Sequence, residues 1–107
     1  MLDESDEVLG ANNPQELQRL ERACQRVRAN KLLNSGVNIA DVNRIDSRGD
    51  LEVGKGSFID VNNVFEGAVE IGKNVKIGPN CYVKDSIIGD GSNLKANTVI
   101  EDSQIGP

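Results

Sequence analysis

Histidine is missing altogether from the 107 residues of this chain. Its absence removes the commonest general base and any histidine–zinc centre. Cysteine is scarce: Cys24 and Cys81 stand in segments of different character, with neither metal-ligand spacing nor a disulfide pattern. A reduced, cytoplasmic setting is therefore expected, with Cys81 as a small buried thiol. No apolar run approaches the length of a membrane span, and the first ten residues lack the basic and apolar regions of a signal peptide. Lys and Arg number 12 against 17 Asp and Glu, a formal net charge of −5. That sign argues against nucleic acid or an anionic membrane surface as partner. The length leaves room for one domain and an appendage.

What is present is a repeat, and repeats are read first because they decide the architecture. Val53, Ile59, Phe65, Ile71, Ile77 and Val83 recur every six residues. With one residue dropped the series resumes at Ile88, Leu94 and Ile100, and with one more it reaches Ile105. Grouped by threes, these positions form coils starting at Val53, Ile71, Ile88 and Ile105. The grouping lines up further columns. Gly54, Gly72, Gly89 and Gly106 each follow a coil start, and Asn62, Asn80 and Asn97 each stand three places after the second apolar position. Glycine and asparagine tolerate the positive φ that sharp corners need, so both columns are expected at corners. The same alignment predicts a ladder of Glu66, Lys84 and Glu101, with charges alternating along one edge. An antiparallel meander would show period-two alternation and Asn-Gly hairpin turns, and neither is present. The repeat predicts a mainly β fold: a parallel β-helix with three short strands per coil.

Residues 1–7 hold Asp3, Glu4, Asp6 and Glu7 without a base, the composition of a solvated terminus. A helix is announced next. Asn13 suits the N-cap, Pro14 the first helical position, and Glu16 the third position of a capping box. Leu17, Leu20, Cys24 and Val27 then form one apolar face, which needs a surface to cover it. Arg26, Arg28 and Lys31 favour the helix C-terminus, and Gly36 is the predicted stop. The helix carries five bases and two acids. A basic face can bind an anion, but a solvated helix between domains is the simpler reading. Residues 36–50 lack the six-residue spacing and read as an irregular first turn that caps the solenoid. At the other end the chain stops at Pro107, one strand into a fourth coil, with no cap; a piece of a longer protein is expected.

The order of these features is specific. Gly10-Ala11-Asn12-Asn13, Leu17-Gln18-Arg19-Leu20-Glu21-Arg22, Gly36-Val37, Asp46-Ser47-Arg48-Gly49 and the hexapeptides from Val53 follow one another. In this order the chain resembles, from Val8 to Pro107, the bacterial bifunctional family joining an N-acetylglucosamine-1-phosphate uridyltransferase to a glucosamine-1-phosphate acetyltransferase. The resemblance implies a left-handed β-helix that trimerises, although parallel crossovers are otherwise right-handed. It divides the chain into the tail of a nucleotidyltransferase (pyrophosphorylase) domain over 1–14, a linker helix over 15–36, and the first, truncated coils of the acetyltransferase domain over 37–107.

It also implies the chemistry of the parent: acetyl transfer from acetyl-CoA to glucosamine-1-phosphate, then Mg²⁺-dependent uridylyl transfer from UTP, making UDP-N-acetylglucosamine for the cell wall. The one site residue carried over is Asn12, which in the family binds Mg²⁺ and contacts the nucleotide sugar. From its residue type alone Asn12 is an ordinary loop residue, and a single amide oxygen is a poor Mg²⁺ site. The family's nucleotide loop precedes Met1 and its acetyltransferase histidine lies in coils beyond Pro107. Tyr82, Lys84 and Lys95 belong to early coils and do not match that site. The piece in hand is thus expected to be structural, homotrimeric and inactive by itself. Two alternatives remain: a non-catalytic trimerisation module, or the tail of another sugar nucleotidyltransferase.

Overall fold

The helix is set by its caps. In the computed structural model, which describes residues 13–106, helix α1 runs over Pro14–Asn34. The Asn13 side chain accepts a hydrogen bond from the Glu16 N–H at 2.8 Å, and Pro14 opens the first turn. At the far end Gly36 adopts φ +98°. The Gly36 N–H donates to the Leu33 carbonyl and the Val37 N–H to that of Leu32, both at 3.1 Å. That pair of bonds is the Schellman termination, and it needs a residue that accepts positive φ.

Ten strands follow: β1 (Asn38–Ile39), β2 (Ile45–Val53), β3 (Phe58–Ile59), β4 (Asn63–Ile71), β5 (Lys76–Ile77), β6 (Tyr82–Lys84), β7 (Ile87–Ile88), β8 (Asn93–Leu94), β9 (Val99–Glu101) and β10 (Gln104–Ile105). Every pairing is parallel. One face of the resulting β-solenoid stacks β1, β3, β5 and β8, with Ile39, Ile59, Ile77 and Leu94 in register. A second stacks Ser47, Phe65, Val83 and Ile100, and a third Val53, Ile71, Ile88 and Ile105. The apolar columns read from the sequence are these three faces. Their side chains fill the core, with Ile59, Ile77 and Val83 wholly buried. Glu66, Lys84 and Glu101 stand in one column as expected.

A second inward position lies two residues before each main one and mixes aliphatic residues, such as Ile45, Val69 and Val75, with small or polar ones. Ser57, Asn63, Cys81 and Ser86 are buried there. They satisfy corner backbone: Ser57 Oγ donates to the Gly72 carbonyl at 2.8 Å and accepts from the Val75 N–H at 2.9 Å. Asn63 Oδ1 accepts from the Cys81 N–H at 2.8 Å. Cys81 is the buried thiol predicted.

The two corner columns have different physical origins. Asn62, Asn80 and Asn97 adopt φ of 62°, 61° and 63°, as the asparagine column predicts. The glycine column does not: Gly54 and Gly72 are absent from the positive-φ residues, which at that corner are Gly56, Asn74 and Gly91. Gly54 is required by close stacking instead, since a Cβ there would lie 2.6 Å from the Gly72 carbonyl carbon. The dropped residue is also visible. Three residues, Gly67 to Val69, separate the paired Glu66 and Glu70, whereas only Asp85 and Ser86 separate Lys84 from Ile87 in the next layer. Asp85 turns this shorter corner at φ 47°, and its carboxylate accepts from the Ala68 N–H at 3.0 Å.

Two expectations are overturned. The stretch 36–50 is not an irregular cap but supplies most of the first layer of the stack, because β2 pairs with β4 along all nine residues. The spacing hid this. Ile39 pairs with Ile59, twenty residues on, where β2 and β4 are eighteen apart, so two extra residues sit in the intervening turn. The inward residue that follows is also polar, Ser47. The cap is instead α1, which is no free solvated linker: it lies against β1 and β2, with Gln25 and Ala29 buried.

Candidate functional site at the helix–solenoid junction

An open end of a β-stack presents unpaired backbone groups, which must be paired or covered. Here Gln25 meets that need as another peptide would. Its Oε1 accepts from the Ser47 N–H at 2.9 Å, while its Nε2 donates to the Ser47 carbonyl at 3.1 Å and to Glu21 Oε2 at 2.8 Å. Arg28 adds a second donor to the Ser47 carbonyl, at 2.7 Å. On the other flank Arg22 pairs with Asp46 at 2.7 Å and reaches the Ile45 carbonyl at 3.4 Å. Arg26 meets Asn43 Oδ1 at 3.5 Å. Arg22 and Arg28 are thus spent on carbonyls and one carboxylate of the first layer. This fixes the helix on the solenoid.

Arg28 and Lys31 of α1 border a groove of about 370 Å³ that Ala29, Leu32, Leu51 and Glu52 also line. The apolar stripe does not turn inward. Leu17 and Val27 are each 57% exposed, and Leu20 and Cys24 also face outward, so the chain's own β-helix does not cover them.

The only tyrosine lies on the second face. The Tyr82 hydroxyl donates a short hydrogen bond to Glu66 Oε1. That bond, then burial, then the Glu66 charge push its pKa up to about 12, so it stays protonated near neutrality. In the expected charge ladder the contact that forms is Tyr82 to Glu66, while both ion pairs among the described residues use Asp46. Among the described residues no group of three or more His, Cys, Asp and Glu is placed to hold a metal. Asn12, the one candidate ligand, lies outside the described residues, as does the acidic stretch from Asp3 to Glu7. Among the described residues no helix is long and apolar enough to cross a membrane. Sequence reasoning missed Gln25, Arg22 and Asp46 as the junction; the signal was a polar face on α1 opposite the apolar stripe.

The repeat and the parallel register fit the bacterial transferase hexapeptide family, whose repeats match residues 50–85 and 70–102. The chain belongs to that family. Relatives align over far more than the repeats. A protein of Marinobacter nauticus named "Bifunctional protein GlmU" is 51% identical over 100 residues, 94% of this chain. Proteins of the same name from Pseudoalteromonas atlantica and Paraburkholderia phytofirmans are 47% and 49% identical over the same share. An alignment of 100 residues in a chain of 107 takes in α1 as well as the coils. The chain spans 22% of the length of each of these three relatives.

Proposed function

We propose that this chain is the junction of a bifunctional sugar-nucleotide transferase, joining a nucleotidyltransferase domain to the early coils of an acetyltransferase β-helix. The observation that carries the reading is the seated helix. Gln25, Arg22 and Arg28 tie α1 to the first layer, so whatever precedes Pro14 is held at a set angle to the solenoid axis. That is what a two-site enzyme needs from its linker, and the relatives aligned across this segment are named bifunctional.

On this reading the parent transfers acetyl from acetyl-CoA to glucosamine-1-phosphate and then uridylyl from UTP to N-acetylglucosamine-1-phosphate. It works in the cytoplasm, supplying UDP-N-acetylglucosamine for peptidoglycan and lipopolysaccharide. Mg²⁺ belongs to the uridylyl half-reaction, with Asn12 contributing one amide oxygen and contacting the nucleotide sugar. The 107-residue piece catalyses neither step. It has no histidine to deprotonate an amino sugar, and its job is to position two domains and to associate as a parallel homotrimer. Short coils bury little core, and self-association supplements it.

Assaying both half-reactions in the full-length parent tests this. Asn12→Ala should cripple uridylyl transfer and leave acetyl transfer nearly intact. Equal loss of both activities, or loss of neither, would show that Asn12 has another role.

A further inference from the structure

Two stacks of like charge face solvent on either side of one corner of the solenoid. Glu52 and Glu70 hold the same outward position in successive layers of the third face, with Asp50 and Asp85 beside them. The strand segments of that face, residues 50–53, 68–71, 85–88 and 102–105, contain no Lys or Arg. Just around the corner Lys55 and Lys73 are stacked in turn: the Asn74 N–H donates to the Lys55 carbonyl at 3.3 Å, and the Gly91 N–H to the Lys73 carbonyl at 2.9 Å, one layer apart. Lys76 follows on the next face. All five of these glutamates and lysines are exposed. Layers lie about 4.8 Å apart, a spacing at which like charges directly opposite each other repel. No ion pair relieves either stack, since both pairs among the described residues use Asp46.

In a lone chain the members of each pair repel, although Asp90 continues the lysine column one layer on, where its carboxylate accepts from the Lys73 N–H at 2.8 Å. Set against each other, the two are complementary in sign, in spacing and in height along the axis, because Glu52 and Lys55 leave one layer and Glu70 and Lys73 the next. We propose that this corner is an interface between copies of the chain: Glu52 and Glu70 of one copy pair with Lys55 and Lys73 of the next, with solenoid axes parallel. The inference rests on the self-association proposed above and adds which surfaces meet. Ile87, 43% exposed and in register with Glu70 one layer on, supplies an apolar centre beside the charges. The two patches differ, so the contact is heterologous and repeats from copy to copy until a ring closes.

Sedimentation across a concentration series tests it, with circular dichroism confirming that each variant folds. The unmodified chain should associate, and added salt should weaken the association as it screens these charges. Glu52→Lys with Glu70→Lys, or Lys55→Glu with Lys73→Glu, should each weaken association by about tenfold or more. The four substitutions together should restore it. If a reversed pair fails to fold, Glu52→Gln with Glu70→Gln and Lys55→Gln with Lys73→Gln take its place, with weakening expected again. Double variants that associate like the unmodified chain, or a folded fourfold variant that stays dissociated, overturn the face assignment and leave self-association standing. An unmodified chain that remains monomeric at every concentration overturns both.

Discussion

Replacing Gln25 by leucine removes the amide that closes the open end of the solenoid while nearly keeping its volume. The side chain is 2% exposed and meets both backbone groups of Ser47. After the change the Ser47 carbonyl still has Arg28, 2.7 Å away. The Ser47 N–H has nothing: its acceptor at 2.9 Å is gone, and Ser47 is buried. One orphaned buried donor costs about 1–3 kcal/mol, and the leucine recovers part of that by apolar burial. A net loss of about 2 kcal/mol is expected. With a urea slope of about 1–1.5 kcal/mol/M for a chain of this size, the unfolding midpoint should fall by roughly 1–2 M. Gln25→Glu keeps the acceptor but puts a carboxylate beside the Ser47 carbonyl, so its loss should exceed that of leucine at neutral pH and shrink as the carboxyl protonates in acid. Arg26→Ala, which removes only an exposed contact at 3.5 Å, is the control and should shift little. Urea unfolding followed by far-ultraviolet circular dichroism reads all three. A Gln25→Leu midpoint within about 0.2 M of the unmodified chain would refute the account of Gln25 as an end-closing group.

Further outcomes are expected along the coils. Gly67→Ala should cost about 2 kcal/mol or more, because φ is +71° and a Cβ would overlap the Asp85 carboxylate; adding Asp85→Ala should return part of that in the same unfolding assay. Phe65→Ala, at a site 1% exposed, should cost about 3–5 kcal/mol. As the single tyrosine, Tyr82 can be titrated directly by its tyrosinate absorbance, with a midpoint near 12 that falls toward 10 in Glu66→Gln. Because its folded pKa is raised, the stabilisation from its hydroxyl is complete below pH 10 and is lost as pH climbs through about 12. Asn13→Ala should lower stability by about 1 kcal/mol through loss of the N-cap bond.

How far the sequence could be read follows from which constraints repeat. Ile59, Ile77 and Leu94 recur because each layer makes the same demand on the same face, and ten aliphatic or aromatic residues at one spacing leave little room for another architecture. Asn62, Asn80 and Asn97 were legible for the same reason. Glycine was ambiguous, since it answers both to backbone angle and to crowding: Gly56 serves the first and Gly54 the second. The helix caps were legible because they are local in sequence. The junction was not, because Gln25 and Ser47 are twenty-two residues apart and each is unremarkable alone.

The helix shows why a seam between architectures inverts the usual pattern. An α-helix satisfies its own backbone, so it cannot extend a β-ladder with main-chain groups. Only side chains with both donors and acceptors can meet a strand edge, and α1 turns Gln25, Arg22 and Arg28 toward the first layer. The same geometry explains Ser47, the polar member of the column that continues as Phe65, Val83 and Ile100. It belongs to the first layer, with a polar helix face rather than another apolar layer beyond it. With its polar side inward, α1 has nowhere to put Leu17, Leu20 and Val27 except outward. An apolar stripe on a helix is therefore no guide to the inward side when the neighbour is a strand edge. At such a seam the amide and guanidinium groups mark the buried face.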